Sequence, residues 1–127
     1  MRHPTILAVD DEAVILRWLA QSLEAVGYDV IPAADVESAL AILRSSMVDA
    51  LILDVRLVGR SGLDVLEFVR SQHALVNLPV VILTGVSRLT EDQEEVIRRN
   101  EAYVFYKPTA SSDLAATLDR LLNRQPR

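Results

Sequence analysis

Ala50-Leu51-Ile52-Leu53-Asp54-Val55 is a short apolar run interrupted near its end by one carboxylate. It is far too short to cross a bilayer, and its length suits a buried strand better than a helix. Four comparable runs accompany it: Thr5 to Val9, Tyr28 to Ala33, Pro79 to Leu83 and Tyr103 to Tyr106. Their β-branched residues and lengths of four to six residues favour strands, and the central three read as fully buried.

Amphipathic stretches separate these runs. Between Ala13 and Val26, the residues Ile15, Trp18, Leu19, Ser22, Leu23 and Val26 recur at helical spacing, which puts Trp18 on the core face, and Gly27 supplies a left-handed stop. Asp35 is placed to cap a second helix with Val36, Ala39, Leu40 and Leu43 inward. A third runs from Leu63 to Ser71 with Leu63, Leu66 and Val69 inward and Phe68 as a further candidate. Thr90-Glu91-Asp92-Gln93 reads as a capping box opening a fourth, with Glu94 and Glu95 also near its positive end and Arg98 and Arg99 near its negative end. A fifth covers Ser112 to Asn123 and is ended by Pro126. Five strand–helix units in 127 residues predict one α/β domain over residues 1–127, an open doubly wound (βα)5 parallel sheet with no attached output domain. Ligands of such sheets bind beyond the carboxyl ends of the strands.

Composition narrows the chemistry. Thirteen basic residues against eighteen acidic ones give a net charge of −5, which argues against direct nucleic-acid binding through phosphate contacts. The absence of cysteine removes disulfides, thiolate metal sites and cysteine nucleophiles. No apolar run spans a membrane and Met1 to Pro4 carries no signal-peptide stretch, so a cytoplasmic location is expected. Of the thirteen basic residues only Lys107 is a lysine.

The informative residues fall at the ends of the strands. Asp10-Asp11-Glu12 follow the first, and three consecutive acids resist ionising together unless a cation or a basic side chain balances them. Taken alone, Asp11 could merely cap the first helix, and Asp54 could merely open a loop. If strands one and three are neighbours, Asp54 joins the acids, and the shared pocket suits a hard divalent cation such as Mg²⁺. Thr84-Gly85 ends the fourth run with a hydroxyl facing open space, suited to an oxyanion, although threonine is also an ordinary strand residue. Lys107-Pro108 ends the fifth with an ammonium able to offset carboxylates and contact a phosphoryl oxygen. Together these residues suggest phosphoryl transfer to a carboxylate. His3 and His73 have no partner at metal-ligand spacing and are expected on the surface.

Asp10-Asp11, Asp54 within Leu51-Ile52-Leu53-Asp54-Val55-Arg56-Leu57, Gly62 eight residues later, Thr84-Gly85 and Lys107-Pro108 make a specific set. In it the chain resembles response-regulator receiver domains, the CheY-like family, over essentially its entire length. The resemblance implies a three-layer sandwich with strand order 2-1-3-4-5, an order that belongs to the family and does not follow from composition or spacing. It implies Asp54 as phosphoacceptor, charged by a phosphohistidine of a sensor histidine kinase or histidine phosphotransfer protein. Asp11, Asp54 and the backbone carbonyl of Arg56 would bind Mg²⁺ directly, and Asp10 would act largely through water. Thr84 would hydrogen-bond the phosphoryl group, Lys107 would pair with it, and the Lys107–Pro108 bond would be cis. Such a protein is a phospho-switch and not an enzyme acting on a separate substrate. The face formed by helix four, strand five and helix five would meet a downstream protein, or a second copy in a phosphorylation-dependent homodimer.

Some positions depart from the family pattern. Val104 stands where an aromatic switch residue is usual, with Tyr103, Phe105 and Tyr106 around it; Asn100 stands where glycine is common, and can still adopt a left-handed conformation at a helix end; Val58 replaces a frequent proline. Arg56 and Val86 occupy positions that resemble those tuning dephosphorylation. Three rival readings fit less well. A metal-dependent phosphatase of the haloacid-dehalogenase type needs Asp-x-Asp where this chain has Asp54-Val55-Arg56, and a flavodoxin-like or dinucleotide-binding module needs a Gly- or Ser/Thr-rich turn where it has Asp10 to Glu12. An interaction-only pseudo-receiver has no need of the complete set.

Overall fold

The computed structural model describes residues 3–123. Five strands, β1 (Thr5–Val9), β2 (Asp29–Ala33), β3 (Ala50–Leu53), β4 (Val80–Thr84) and β5 (Tyr103–Tyr106), alternate with five α-helices, α1 (Ala13–Glu24), α2 (Val36–Ser45), α3 (Leu63–Ser71), α4 (Glu91–Arg99) and α5 (Ser111–Leu121). One 3-10 turn, His73–Leu75, follows α3. The strands are parallel in the order β2-β1-β3-β4-β5.

Side chains alternate between the faces of each strand. Leu7, Val9, Leu51, Leu53, Val80 and Ile82 pack under α2, α3 and α4, whereas Ile6, Ala8, Ala50, Ile52, Val81 and Leu83 pack under α1 and α5. With both faces covered, β3 can be apolar at every position. The strands buried almost throughout are the spatial centre, β1, β3 and β4; β2 is an edge strand with exposed Asp29 and Pro32. Trp18 lies partly buried against the α1/α5 layer, and Phe68 is half-buried with the Arg44 guanidinium 5.1 Å from its ring centre.

Several boundaries move relative to the sequence reading. Tyr28 precedes β2; it is buried, and its hydroxyl donates to Asp119 of α5 at 2.5 Å. β3 ends at Leu53, not Val55, because the chain turns there and the Val55 carbonyl accepts from Gly62 N at 2.7 Å. β4 extends to Thr84, which lies opposite Tyr106. Helix α1 stops at Glu24 ahead of Gly27, whose φ is 96°. Its N-cap position is Glu12 and not Asp11, with no side-chain cap bond. Asp35 caps α2 by accepting from Ser38 N at 2.7 Å, and the Thr90/Gln93 capping box forms in both directions at 3.1 and 2.9 Å. Helix α5 starts at Ser111, and Pro126, expected to end it, lies outside the described residues. At the end of α4 the left-handed residue is Glu101 (φ 55°), not Asn100 (φ −99°).

Candidate functional site

A parallel sheet delivers the carboxyl ends of all its strands to one edge. Register sets which of them meet: Val9 lies opposite Leu53, so Asp10 and Asp54 leave the sheet side by side, and Asp54 N donates to the Val9 carbonyl at 3.0 Å. On the other side, Lys107 N donates to the Thr84 carbonyl at 2.8 Å, which holds the end of β5 against the end of β4. The Lys107–Pro108 peptide is cis.

Lys107 reaches back across the edge of the sheet. Its Nζ donates to Asp10 Oδ2 at 2.7 Å, to Glu12 Oε2 at 3.0 Å and to Asp54 Oδ2 at 3.2 Å. Asp10 Oδ1 accepts from Glu12 N at 2.9 Å, and Asp54 Oδ1 accepts from Arg56 N at 3.3 Å. Burial pushes the Asp10 carboxyl above its ordinary value, against the opposing pull of Lys107. For Lys107, burial lowers the ammonium pKa, but hydrogen bonds to Asp10 and Glu12 more than reverse it, so the lysine is charged throughout the neutral range.

These side chains open onto a cavity of about 370 Å³ whose lining includes Asp11, Glu12, Asp54, Thr84, Val86 and Lys107. Thr84 is fully buried, and its Oγ1 accepts from Val86 N at 3.4 Å, leaving the hydroxyl proton free to point elsewhere. Asp10, Asp11 and Asp54 each offer a carboxylate oxygen, and these atoms lie within 4.8 Å of one another. Three hard anionic oxygens converging beside a water-accessible cavity fit a small divalent cation that keeps part of its hydration shell.

Gly62 has a steric reason for being glycine. A β-carbon there would lie 1.8 Å from the Asp54 carbonyl oxygen and 2.9 Å from its carbonyl carbon. Gly85 is less constrained, since its added β-carbon would meet only Lys107 Cδ at 3.6 Å.

The structure thus brings together Asp10, Asp11, Asp54, Arg56, Thr84 and Lys107. Glu12 is among the acids that the sequence gathers at this edge for Lys107 to offset, and the structure makes that contact a direct one at 3.0 Å. His3 and His73 are exposed, and His3 Nδ1 stands 3.4 Å from Asp29 Oδ1. On β5, Phe105 belongs to the α1/α5 core and Val104 packs against the opposite layer, whereas Tyr103 and Tyr106 are 46% and 48% exposed. Among the described residues no helix is long and apolar enough to cross a membrane.

Comparison with known proteins agrees with this geometry. Residues 6–119 match the family profile described as the response regulator receiver domain. The chain is 34% identical over 120 residues to the probable transcriptional regulatory protein TcrX of Mycobacterium tuberculosis, covering 94% of this chain and 50% of that protein. It is 30% identical over 120 residues to the phosphate regulon transcriptional regulatory protein PhoB of Pseudomonas aeruginosa, covering 94% and 52%. The chain therefore spans about half the length of these curated relatives. Among solved structures, the Vibrio cholerae chemotaxis protein CheY4 superposes with a TM-score of 0.85 at 29% identity, over 94% of this chain and 99% of that one. A CheY-like receiver domain protein of Methanospirillum hungatei does so with a TM-score of 0.86 at 25% identity, over 95% and 94%.

Proposed function

Because the chain belongs to the response regulator receiver family, we propose that it is the phosphoacceptor of a two-component relay, charged on Asp54 by a phosphohistidine of a sensor kinase or histidine phosphotransfer protein. The observation that carries this reading is the carboxylate of Asp54, held at the cavity mouth between the Lys107 ammonium at 3.2 Å and the Arg56 N–H at 3.3 Å, with Asp10 and Asp11 beside it.

An Asp54 oxygen attacks phosphorus, the phosphorus–nitrogen bond breaks, and its electron pair returns to the departing imidazole. Mg²⁺ held by Asp11, Asp54 and the Arg56 carbonyl, with Asp10 acting through water, would supply charge neutralisation to the transferred group. Lys107 offsets further negative charge at the same oxygens. Thr84 turns its free hydroxyl proton toward the phosphoryl oxygen. The buried walls, Asp10 and Thr84 among them, hold these groups in place, so the protein's contribution is mainly positioning and electrostatics.

Phosphorylation changes the charge at one edge of the sheet, and the signal leaves through the face formed by α4, β5 and α5, where Tyr103 and Tyr106 are exposed. A downstream protein, or a second copy of the chain, is the partner of that face, and the setting is cytoplasmic. The protein is a switch that catalyses only its own phosphorylation and dephosphorylation.

Incubating wild type and Asp54→Asn with acetyl phosphate and Mg²⁺ and measuring intact mass tests the assignment. One phosphoryl group on wild type and none on the variant is expected. Equal labelling of both, or no labelling of wild type, refutes it.

A further inference from the structure

Lys107 has three N–H donors, and all three are committed to carboxylates, those of Asp10, Glu12 and Asp54. The three partners sit in different surroundings. The side chains of Asp10 and Asp54 are 3% and 7% exposed, whereas that of Glu12 is 60% exposed. The Asp54 contact passes to its own phosphoryl group, but for a further phosphoryl oxygen to bond to Lys107, either Asp10 or Glu12 has to let go. Asp10 would be left a buried charge without its strongest partner, while Glu12 simply returns to water.

Building on the phosphoacceptor reading, we propose that Glu12 is a positioning residue that holds Lys107 over the acidic cavity before transfer and yields it to the phosphoryl oxygen afterwards. The exchange needs only the Glu12 side chain to turn. Its main chain is anchored by N–H donation to Asp10 Oδ1 at 2.9 Å and by a carbonyl that accepts from Ile15 N and Leu16 N at 3.1 and 3.2 Å. The released carboxylate then stands at the start of α1, two residues before Val14, an exposed apolar residue. Phosphorylation therefore alters the charge presented on that rim as well as within the cavity.

Because Lys107 is the only lysine, protein grown with lysine labelled at Cε and Nζ gives a single side-chain signal that reports on this contact. Wild type, Glu12→Gln and Glu12→Asp are compared without metal, and again with Mg²⁺ and beryllofluoride as a phosphoryl stand-in. Glu12→Gln should move the signal in the metal-free protein, Glu12→Asp should move it less, and all three should converge with beryllofluoride bound. Acetyl phosphate should label Glu12→Gln roughly two- to fivefold faster than wild type, the range of one exposed ion pair. Identical metal-free signals overturn the grip on Lys107. A difference that persists with beryllofluoride, or slower labelling of Glu12→Gln, overturns the handover. Failure of wild type to take label from acetyl phosphate instead strikes the phosphoacceptor reading and the handover with it, and the metal-free comparison still decides whether Glu12 holds the lysine.

Discussion

The main chain at Gly62 passes so close to Asp54 that a β-carbon on it would lie 1.8 Å from the Asp54 carbonyl oxygen. The turn leading into α3 is thus packed directly on the backbone of the residue at the mouth of the cavity. Any side chain at position 62 has to push either the turn or Asp54 out of place.

Gly62→Ala is accordingly expected to destabilise the protein by about 3 kcal/mol, the upper part of the range for forcing atoms into a packed site. Gly59→Ala is the informative contrast. No atom lies within 4 Å of an added β-carbon there, but φ is +83°, so only backbone strain of about 1–2 kcal/mol applies. Urea denaturation of both variants should rank Gly62→Ala as the more damaging, and the reverse order would contradict the close contact.

Lys107→Met should cost about 3 kcal/mol at neutral pH in metal-free protein, because it leaves Asp10 and Asp54 as buried charges without their cation. The pH dependence follows from the direction of two shifts. Lys107 is held above its ordinary value of 10.5, so the folded protein keeps a proton that the unfolded chain would release; that stability is fully present below about pH 10.5 and fades above it. Asp10 is also raised, so protonating it in acid relieves the orphaned charge in the variant. The gap between wild type and variant should therefore be widest near neutrality, narrow toward both extremes, and shrink when Mg²⁺ is added. A gap that is unaffected by pH would contradict this assignment.

Glu101→Gly is expected to stabilise the protein by up to about 1 kcal/mol, by relieving a left-handed backbone at φ 55° that favours glycine. Loss of the attraction between Glu101 and Arg70 trims the gain. Asn100→Gly should do the opposite. Asn100 has φ −99°, and its Nδ2 donates to the Val96 carbonyl at 2.8 Å, a bond worth about 1 kcal/mol. Denaturation midpoints that move in the same direction for both substitutions would show that the strain has been misplaced.

The features legible from the chain are those whose causes act within a few residues. Asp35 as a cap, the Thr90/Gln93 box, the inward faces of α1, α2 and α3, and β3 as an apolar strand all depend on spacing of four or fewer, and the structure agrees with them, adding Val65 to the inward face of α3 and leaving Phe68 half-buried. The association of Asp10, Asp11, Asp54, Thr84 and Lys107 at one edge is legible from the strand ends, with the strand order supplied by the resemblance, because a parallel (βα)5 sheet delivers strand ends together whatever the intervening sequence. Which oxygens Lys107 reaches, and at what distance, is not legible there. Glu12 and Lys107 are 95 residues apart, and their contact depends on the pairing of β1, β3, β4 and β5 to within one residue. The same dependence made β3 end at Leu53 and β4 continue to Thr84 opposite Tyr106. Gly62 is glycine because of a main-chain atom eight positions away, brought over it by the fold of the turn. Periodicity and capping chemistry therefore specified the elements and their approximate extents. Packing and register specified which ends touch, because a distance of 3 Å between side chains is set by the sum of every strand pairing between them and by no local signal.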